Sequence, residues 1–514
     1  MALSTSGGWI QLPVGGGVVA DEVPQEKADG TWDTGSNTRF RDGFLRKTEG
    51  YTTTSLTAPS AAAYHVAPYQ ANGYRYWIHN TLTDTYADNG TAKTTITGTT
   101  STGTADNRFI STVLGGVYVQ TNEADPPKYW GGTGTLATLT GWTSTHRCKS
   151  IRSFKYYLIA LNITKGATNY AHMVKWSHAA EPGTIPTSWD ETDATKDAGE
   201  FDLSETTDSL IDGLALGDTF IAYKERSMYG LMYVGGNAIF RQVRLPGDYG
   251  ILAANCVVNT PNGHVVLTSG PDIVIHQGGQ PKSILERKMR TWLASNMDPT
   301  YLGRSFMVAN HVKSEVWTCF PATGASTCTK ALIWNYTEDT FAIIDLPNTT
   351  AGAFGPLATT AGGTWASDSN TWASDATTWN ETSVALDRRV ILTGTSSLLY
   401  LMDEGDTFAG SAISASVERT DITLGDPDRR KMIRGVRLRV DAAAATVLSV
   451  QVGASDDPEV APTWSTAVTY TVGTTFQANT IAAGRFLSIR ISSAAGGQWR
   501  IKTIGLDVVL LGNY

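Results

Sequence analysis

Trp365, Trp372 and Trp379 stand seven residues apart in the run Thr364-Trp-Ala-Ser-Asp-Ser-Asn-Thr371-Trp-Ala-Ser-Asp-Ala-Thr-Thr378-Trp-Asn. An indole brings a large apolar face and one N–H donor, so its chemistry is stacking and covering rather than bond making. A coiled-coil heptad needs a second apolar position per repeat and strong helix formers, whereas Thr, Ser and Asp favour turns and strands. The repeat reads as a run of tight loops, each presenting one Trp. The rings either meet another chain or a sugar, or fold back on the protein's own rim. These three tryptophans are the candidate interface residues.

Other groups capable of chemistry lack the spacing that chemistry requires. Asp193-Ala-Thr-Lys-Asp197 resembles the start of a calcium loop, but Ala198 stands where the loop needs Gly and Ser204 where it needs Glu. It reads as a solvated loop. Asp368-Ser-Asn-Thr-Trp372 is too short for the Asp box of sialidase-type propellers and lacks its Gly. His172 and His178 flank Trp176 with no partner motif and read as surface or hydrogen-bonded histidines. Cys148, Cys256, Cys319 and Cys328 include no Cys-x-x-Cys pair. Cys319 and Cys328 could face each other across a hairpin, but a cytoplasmic product keeps such thiols reduced, so buried free thiols are expected. The chain has no Gly-x-Ser-x-Gly elbow, phosphate-binding P-loop, His-Glu-x-x-His or dinucleotide fingerprint. No enzyme, metal or cofactor is expected.

The basic groups Glu286-Arg-Lys-Met-Arg290 and Arg429-Arg-Lys-Met-Ile-Arg434 read as solvated edges that discourage strand addition, or as guanidiniums for carboxylates of another subunit. Across the 514 residues the formal net charge is −8, against a reader that works by neutralising phosphates. The N-terminal Met1-Ala-Leu-Ser-Thr-Ser-Gly-Gly-Trp has neither a basic region nor an apolar core, and no run of about 18 apolar residues occurs. A soluble product made in the cytoplasm, without a membrane-spanning segment, is expected.

The elements that must position these residues are strands. With 51 glycines and only 17% charged residues, the composition suits a turn-rich all-β protein of two or three domains. Val117–Gln120 with Lys128–Trp130, Thr219–Tyr223 with Ser227–Leu231, His264–Leu267 with Asp272–His276, and Val390–Thr393 with Leu398–Leu401 each read as a hairpin. Their spacing predicts a β-propeller-like body over 51–403, after an N-terminal extended segment and clip over 1–50. Lys282 to Met297 carries helical spacing at Ile284, Met289, Trp292 and Leu293 and is the one helix predicted. After a break at 404–428, Val436, Leu438 and Val440 alternate with Arg437 and Arg439, and similar runs follow. They predict a C-terminal β-sandwich over 412–514, separate enough to be removed without loss of the rest.

The ordered set of local patterns resembles one family. Thr31-Trp-Asp-Thr-Gly-Ser-Asn37-Thr-Arg39-Phe-Arg41-Asp-Gly43-Phe-Leu-Arg-Lys47-Thr-Glu-Gly50-Tyr resembles the opening of the nozzle or tubular tail proteins of short-tailed bacteriophages. Lys175-Trp-Ser-His, Pro186-Thr-Ser-Trp-Asp190, Ile221-Ala-Tyr-Lys224, Glu315-Val-Trp-Thr-Cys-Phe-Pro321, Ala331 to Phe341 and Gly425 to Lys431 continue the likeness in order, as do the Trp repeats. The resemblance implies a non-enzymatic virion component, assembled in the host cytoplasm, that forms a homohexameric ring beneath the head-to-tail adaptor. It would meet other tail proteins and guide the genome DNA through its lumen without specific binding. Arg39, Arg41 and Asp42 around Gly43 read as a turn pinned by charge pairs, either a local clip or a docking contact. Two other classes remain open at this point. One is a carbohydrate-binding receptor-recognition tail protein or lectin with the Trp series stacked on sugars; the other is a glycan hydrolase, which needs two carboxylates at a working separation.

Overall fold

The computed structural model describes residues 8–54, 56–236, 238–357, 388–494 and 497–512. The described elements are strands throughout, apart from one helix, Arg290–Asn296, and one 3-10 turn, Leu302–Arg304. All four predicted hairpins form as antiparallel pairs. The predicted helix is shorter than its apolar spacing suggests. Lys282–Ser283 instead pairs as a strand with Ile273–His276. Ser283 then donates its hydroxyl to Asp272 (2.8 Å) and accepts the backbone N–H of Glu286 (3.1 Å), while Arg287 takes φ +61°, so the helix starts only beyond this turn.

Five four-stranded antiparallel meanders follow one another at 65–95, 110–138, 146–202, 210–244 and 257–283. A nine-stranded sheet begins with Phe306–Asn310, Glu315–Phe320, Cys328–Asn335 and the long Thr340–Pro356, then adds Arg388–Gly394 and Leu399–Met402. The first strand of each sheet touches the first strand of the next, and Thr340–Pro356 returns to touch His65–Ala71, completing a circuit.

Between neighbouring sheets lie separate apolar layers. Tyr69, Ile78, Tyr118 and Trp130 fill the first interface, Leu114, Val119, Ile151 and Leu158 the second, and Phe154, Tyr157, Phe220 and Tyr229 the third. Leu56, Val66, Trp77, Ile391 and Leu399 close the circuit between the nine-stranded sheet and the first meander. With both faces covered, Tyr157–Ile163 is buried without interruption, where a one-sided sheet would alternate.

The two ends of the chain share two further six-stranded sheets. In one, Trp499–Leu510 is flanked by Lys431–Ala442 on one side and by Gly8–Leu12 and Phe44–Lys47 on the other. In the other, Thr34–Ser36 pairs with Ala415–Ile422, which pairs with Phe486–Ser493. The expected alternation holds here: Val436 and Leu438 are buried while Arg439 is exposed. Residues 1–50 and 412–514, expected as separate parts, therefore complete each other's sheets. Tyr51–Thr53 goes on to join the nine-stranded sheet beside Leu399–Met402. Removing 412–514 would leave Gly8–Leu12 and Thr34–Ser36 without the strands they pair with.

Candidate functional site

Trp365, Trp372 and Trp379 lie outside the described residues. The stalk from which their segment departs is described, and it is held firmly. Thr340–Pro356 and Arg388–Gly394 pair up to Pro356 opposite Arg388. Trp77, fully buried, donates its indole N–H to the Pro356 carbonyl at 2.9 Å. Gly355 lets the stalk lie against the first meander, because a Cβ there would come within 2.6 Å of the Pro68 ring. Pro356 and Arg388 thus sit at a fixed place on the circuit.

The turn around Gly43 proves to be part of a buried ionic junction. Asp42 (φ +56°) and Gly43 (φ +72°) make the turn, and Asp42 pairs with Arg46 at 3.1 Å. Arg39, on the strand before it, is buried and reaches Asp403 at 2.6 Å, Glu315 at 3.3 Å and Glu49 at 3.6 Å. Arg41 holds the other Glu315 oxygen at 2.7 Å, and Lys313 bridges Glu49 (2.6 Å) and Asp403 (3.0 Å). Trp317 stacks beneath the Arg39 guanidinium at 4.8 Å and donates its N–H to Glu315 at 3.1 Å.

Three cations therefore meet three carboxylates. Burial alone would push the Asp403 carboxyl up, but Arg39 and Lys313 outweigh it and hold it down to about 2. Burial likewise opposes the charge on Arg39, and the three carboxylates overcome that and raise its pKa. With every charge matched, the junction serves to join strands rather than to bind a ligand. Arg39, Arg41 and Asp42 stand out in the sequence but the carboxylates that face the two arginines do not, because Arg39 and Glu315 are 276 positions apart.

A second polar cluster sits where the first strands of the sheets converge. Asp212 accepts from Ser150 (2.6 Å), from Arg152 (2.9 Å from Nε and 2.6 Å from Nη2) and from the Asn255 backbone (3.0 Å). A register shift between Leu210 and Asp212 re-aims the strand at this point. Arg152 also donates to the Ser111 carbonyl (3.1 Å) and to the Asn255 side chain (3.1 Å), which in turn donates to the Phe109 carbonyl (2.9 Å). His65 meets the Ser111 hydroxyl at 2.9 Å; burial, with Arg152 and Arg108 nearby, pushes its pKa down to about 3, so the ring is neutral. One cluster thus ties four meanders and the approach to the fifth. The signal available in the sequence was Asp212, a lone charge within the apolar strand Leu210–Leu216; Arg152 shares its strand with Arg147 and Lys149 and does not stand out.

A third cluster is uncharged. The Gly278 N–H donates to Nδ1 of His276 (3.1 Å), so the proton of that neutral ring lies on Nε2 and is donated to the Tyr223 oxygen (2.7 Å). Tyr223 donates to Nδ1 of His264 (2.7 Å), whose Nε2–H is donated to the Ala215 carbonyl (3.0 Å). Burial lowers both histidines to about 4 and pushes the Tyr223 phenol well above its ordinary range.

The remaining sequence candidates find partners within the chain. Asp193 caps its own turn through Thr195. His178 accepts the Asp197 N–H at 3.0 Å, and His172 meets the Asp208 carbonyl at 3.1 Å. In the basic groups, Lys288 pairs with Asp339, Arg290 with Asp272, Arg430 with Asp456 and Arg434 with Asp507. All four cysteines are buried and unbridged, Cys319 and Cys328 included. Among the described residues no group of three or more His, Cys, Asp or Glu is placed to hold a metal ion, and no helix is long and apolar enough to cross a membrane.

No family model and no curated protein matches the chain. Among solved structures, the chain is similar to the computationally designed Ika8 protein at 10% identity and a TM-score of 0.37, over 69% of this chain and 99% of that one. It is also similar to apo AztD from Citrobacter koseri at 10% identity and a TM-score of 0.32, over 56% of this chain and 86% of that one.

Proposed function

We propose that this chain is a structural virion protein that forms the nozzle or tube ring of a short-tailed bacteriophage, and that it closes or guides the DNA exit channel without catalysis. In this reading the circuit of sheets is a six-bladed β-propeller-like body, the last blade being the start of the nine-stranded sheet. The two end-sharing sheets are a β-sandwich fused to it. The observation that carries the reading is the placement of residues 31–50, the segment that resembles the family's opening. Its strands join both end sheets, and its Arg39 is buried in a junction with the nine-stranded sheet. Those residues serve architecture, as a ring component requires.

Two further observations support it. The axis of the circuit is occupied by the Arg152–Asp212 cluster, so a channel for DNA belongs between copies of the chain and not through each one. The net charge of −8, repeated around a ring, favours passage of phosphates over retention. Cyclic closure also supplies a neighbouring copy to cover Trp365, Trp372 and Trp379.

Imaging of assembled particles tests the proposal. The chain is expected at the tail axis in six copies, in contact with the head-to-tail adaptor. Trimers on peripheral fibres, or a defined glycan bound with Trp-dependent affinity, would shift the assignment to receptor recognition.

A further inference from the structure

At one end of the axis lies a cavity of about 140 Å³, lined by Arg108, Lys149, Asp106, Glu123, Ile211 and the 252–254 turn. The lining comes from the second, third and fourth meanders, with the turn before the fifth and Gly303 before the nine-stranded sheet, so the cavity is a product of the circuit and not of any single hairpin. Its charges are unevenly matched. Asp106 is engaged by Arg304 at 2.7 Å, and Glu123 faces Lys149 at 3.7 Å. Among the described residues Arg108 forms no ion pair. Its Nη2 donates to the Thr350 carbonyl at 3.2 Å, and its Nε is buried with no hydrogen-bond partner.

The thiols nearest Arg108 supply no counter-charge. Burial pushes Cys256 and Cys328 up to about 12, so both are neutral. A half-buried guanidinium with no ion pair and an orphaned Nε–H beside a cavity is a poor resting arrangement, because Asp106, beyond ion-pair distance, offsets its charge only in part and its donor is unsatisfied. An oxyanion in the cavity would supply the missing counter-charge, through the planar geometry that a guanidinium offers.

We propose that this axial cavity is a binding site for a small monovalent oxyanion of the carboxylate class, with Arg108 as its principal partner and Lys149 as its second cation. With Arg304 counted beside the lining, three cations face two carboxylates, and the single excess positive charge sets the valence. The volume admits a group of formate or acetate size. A carboxylate side chain of a tail partner inserted at the mouth would present the same chemistry as a free anion, and titration with free acetate measures the site itself.

Thermal unfolding and titration calorimetry of the full-length protein, with acetate, inorganic phosphate and chloride compared at equal ionic strength and pH 7, test the site. Acetate is expected to raise the unfolding midpoint saturably above chloride, with phosphate weaker. Arg108→Gln should weaken acetate binding roughly tenfold or more. Lys149→Gln should weaken it less, while Glu123→Gln should strengthen it, an increase that a purely structural role for these residues does not produce. If Arg108→Gln fails to fold, the Lys149 and Glu123 variants and the wild-type titration still decide. No saturable preference for acetate over chloride, or tighter binding of phosphate than of acetate, would overturn the proposal.

Discussion

The Arg39 junction and the Tyr223 chain are both buried polar networks, but one is held by charge and the other by the absence of charge. In the first, three cations and three carboxylates compensate one another between the N-terminal strands and the nine-stranded sheet. In the second, two neutral rings and a phenol pass hydrogen bonds in one direction between the fourth and fifth meanders. The ionic junction pairs its charges while Nε of Arg39 and of Arg41 lacks a hydrogen-bond partner, and the neutral chain matches donor to acceptor, so the two fail differently. Removing one member of the ionic junction leaves uncompensated charge in a dry site, whereas removing one member of the neutral chain leaves only unmatched donors and acceptors.

The largest effect is therefore expected at Arg39. Arg39→Met strands Asp403 and Glu315 and should cost about 3–5 kcal/mol of stability, measured by denaturant unfolding. A loss under about 1 kcal/mol would place the junction among exposed pairs and remove its role as the joint. Next comes Tyr223→Phe, which orphans the His276 donor and the His264 acceptor; a loss of about 2–4 kcal/mol is expected, with a smaller loss still when His264 is replaced by Asn in the same background.

Acid separates the two networks. His264 and His276 have folded pKa values of about 4 against an ordinary 6.5, so between these values the unfolded chain binds protons that the folded chain does not. Their contribution is fully present above pH 6.5 and is lost as pH falls toward 4. The buried His65 and His79 shift in the same direction. Asp403, depressed from 3.8 to about 2, contributes above 3.8 and loses that contribution only as pH falls further. Stability should thus drop in two stages. Tyr223→Phe should change the upper stage and Arg39→Met the lower; the reverse pattern would contradict the assignment. The smallest effect belongs to the exposed Arg500–Asp441 pair, where Asp441→Asn should change stability by under about 1 kcal/mol.

Local structure was legible in the sequence because it depends on neighbouring residues. The hairpin from Thr219 to Leu231 and the alternation at Val436, Leu438 and Arg439 follow from apolar spacing and turn residues alone. What escaped was whatever joins distant segments. Arg39 looked like part of a turn because Glu315 and Asp403 lie hundreds of positions away, and Thr34–Ser36 showed no sign of pairing with Ala415–Ile422. The helix expected from Lys282 lost its first half to strand pairing, which helical spacing cannot register. For the candidate site, the sequence supplied the Trp repeat, and the structure describes the paired strands Thr340–Pro356 and Arg388–Gly394 that precede and follow it in the chain.

If residues 31–50 are the joint between the circuit of sheets and the two end sheets, the chain unfolds as one cooperative unit. Calorimetry of the full-length chain, run beside Arg39→Met, decides the point. A single transition in the wild type that splits into two in the variant is the result predicted. Two independent transitions already present in the wild type, with 412–514 melting alone, would contradict it.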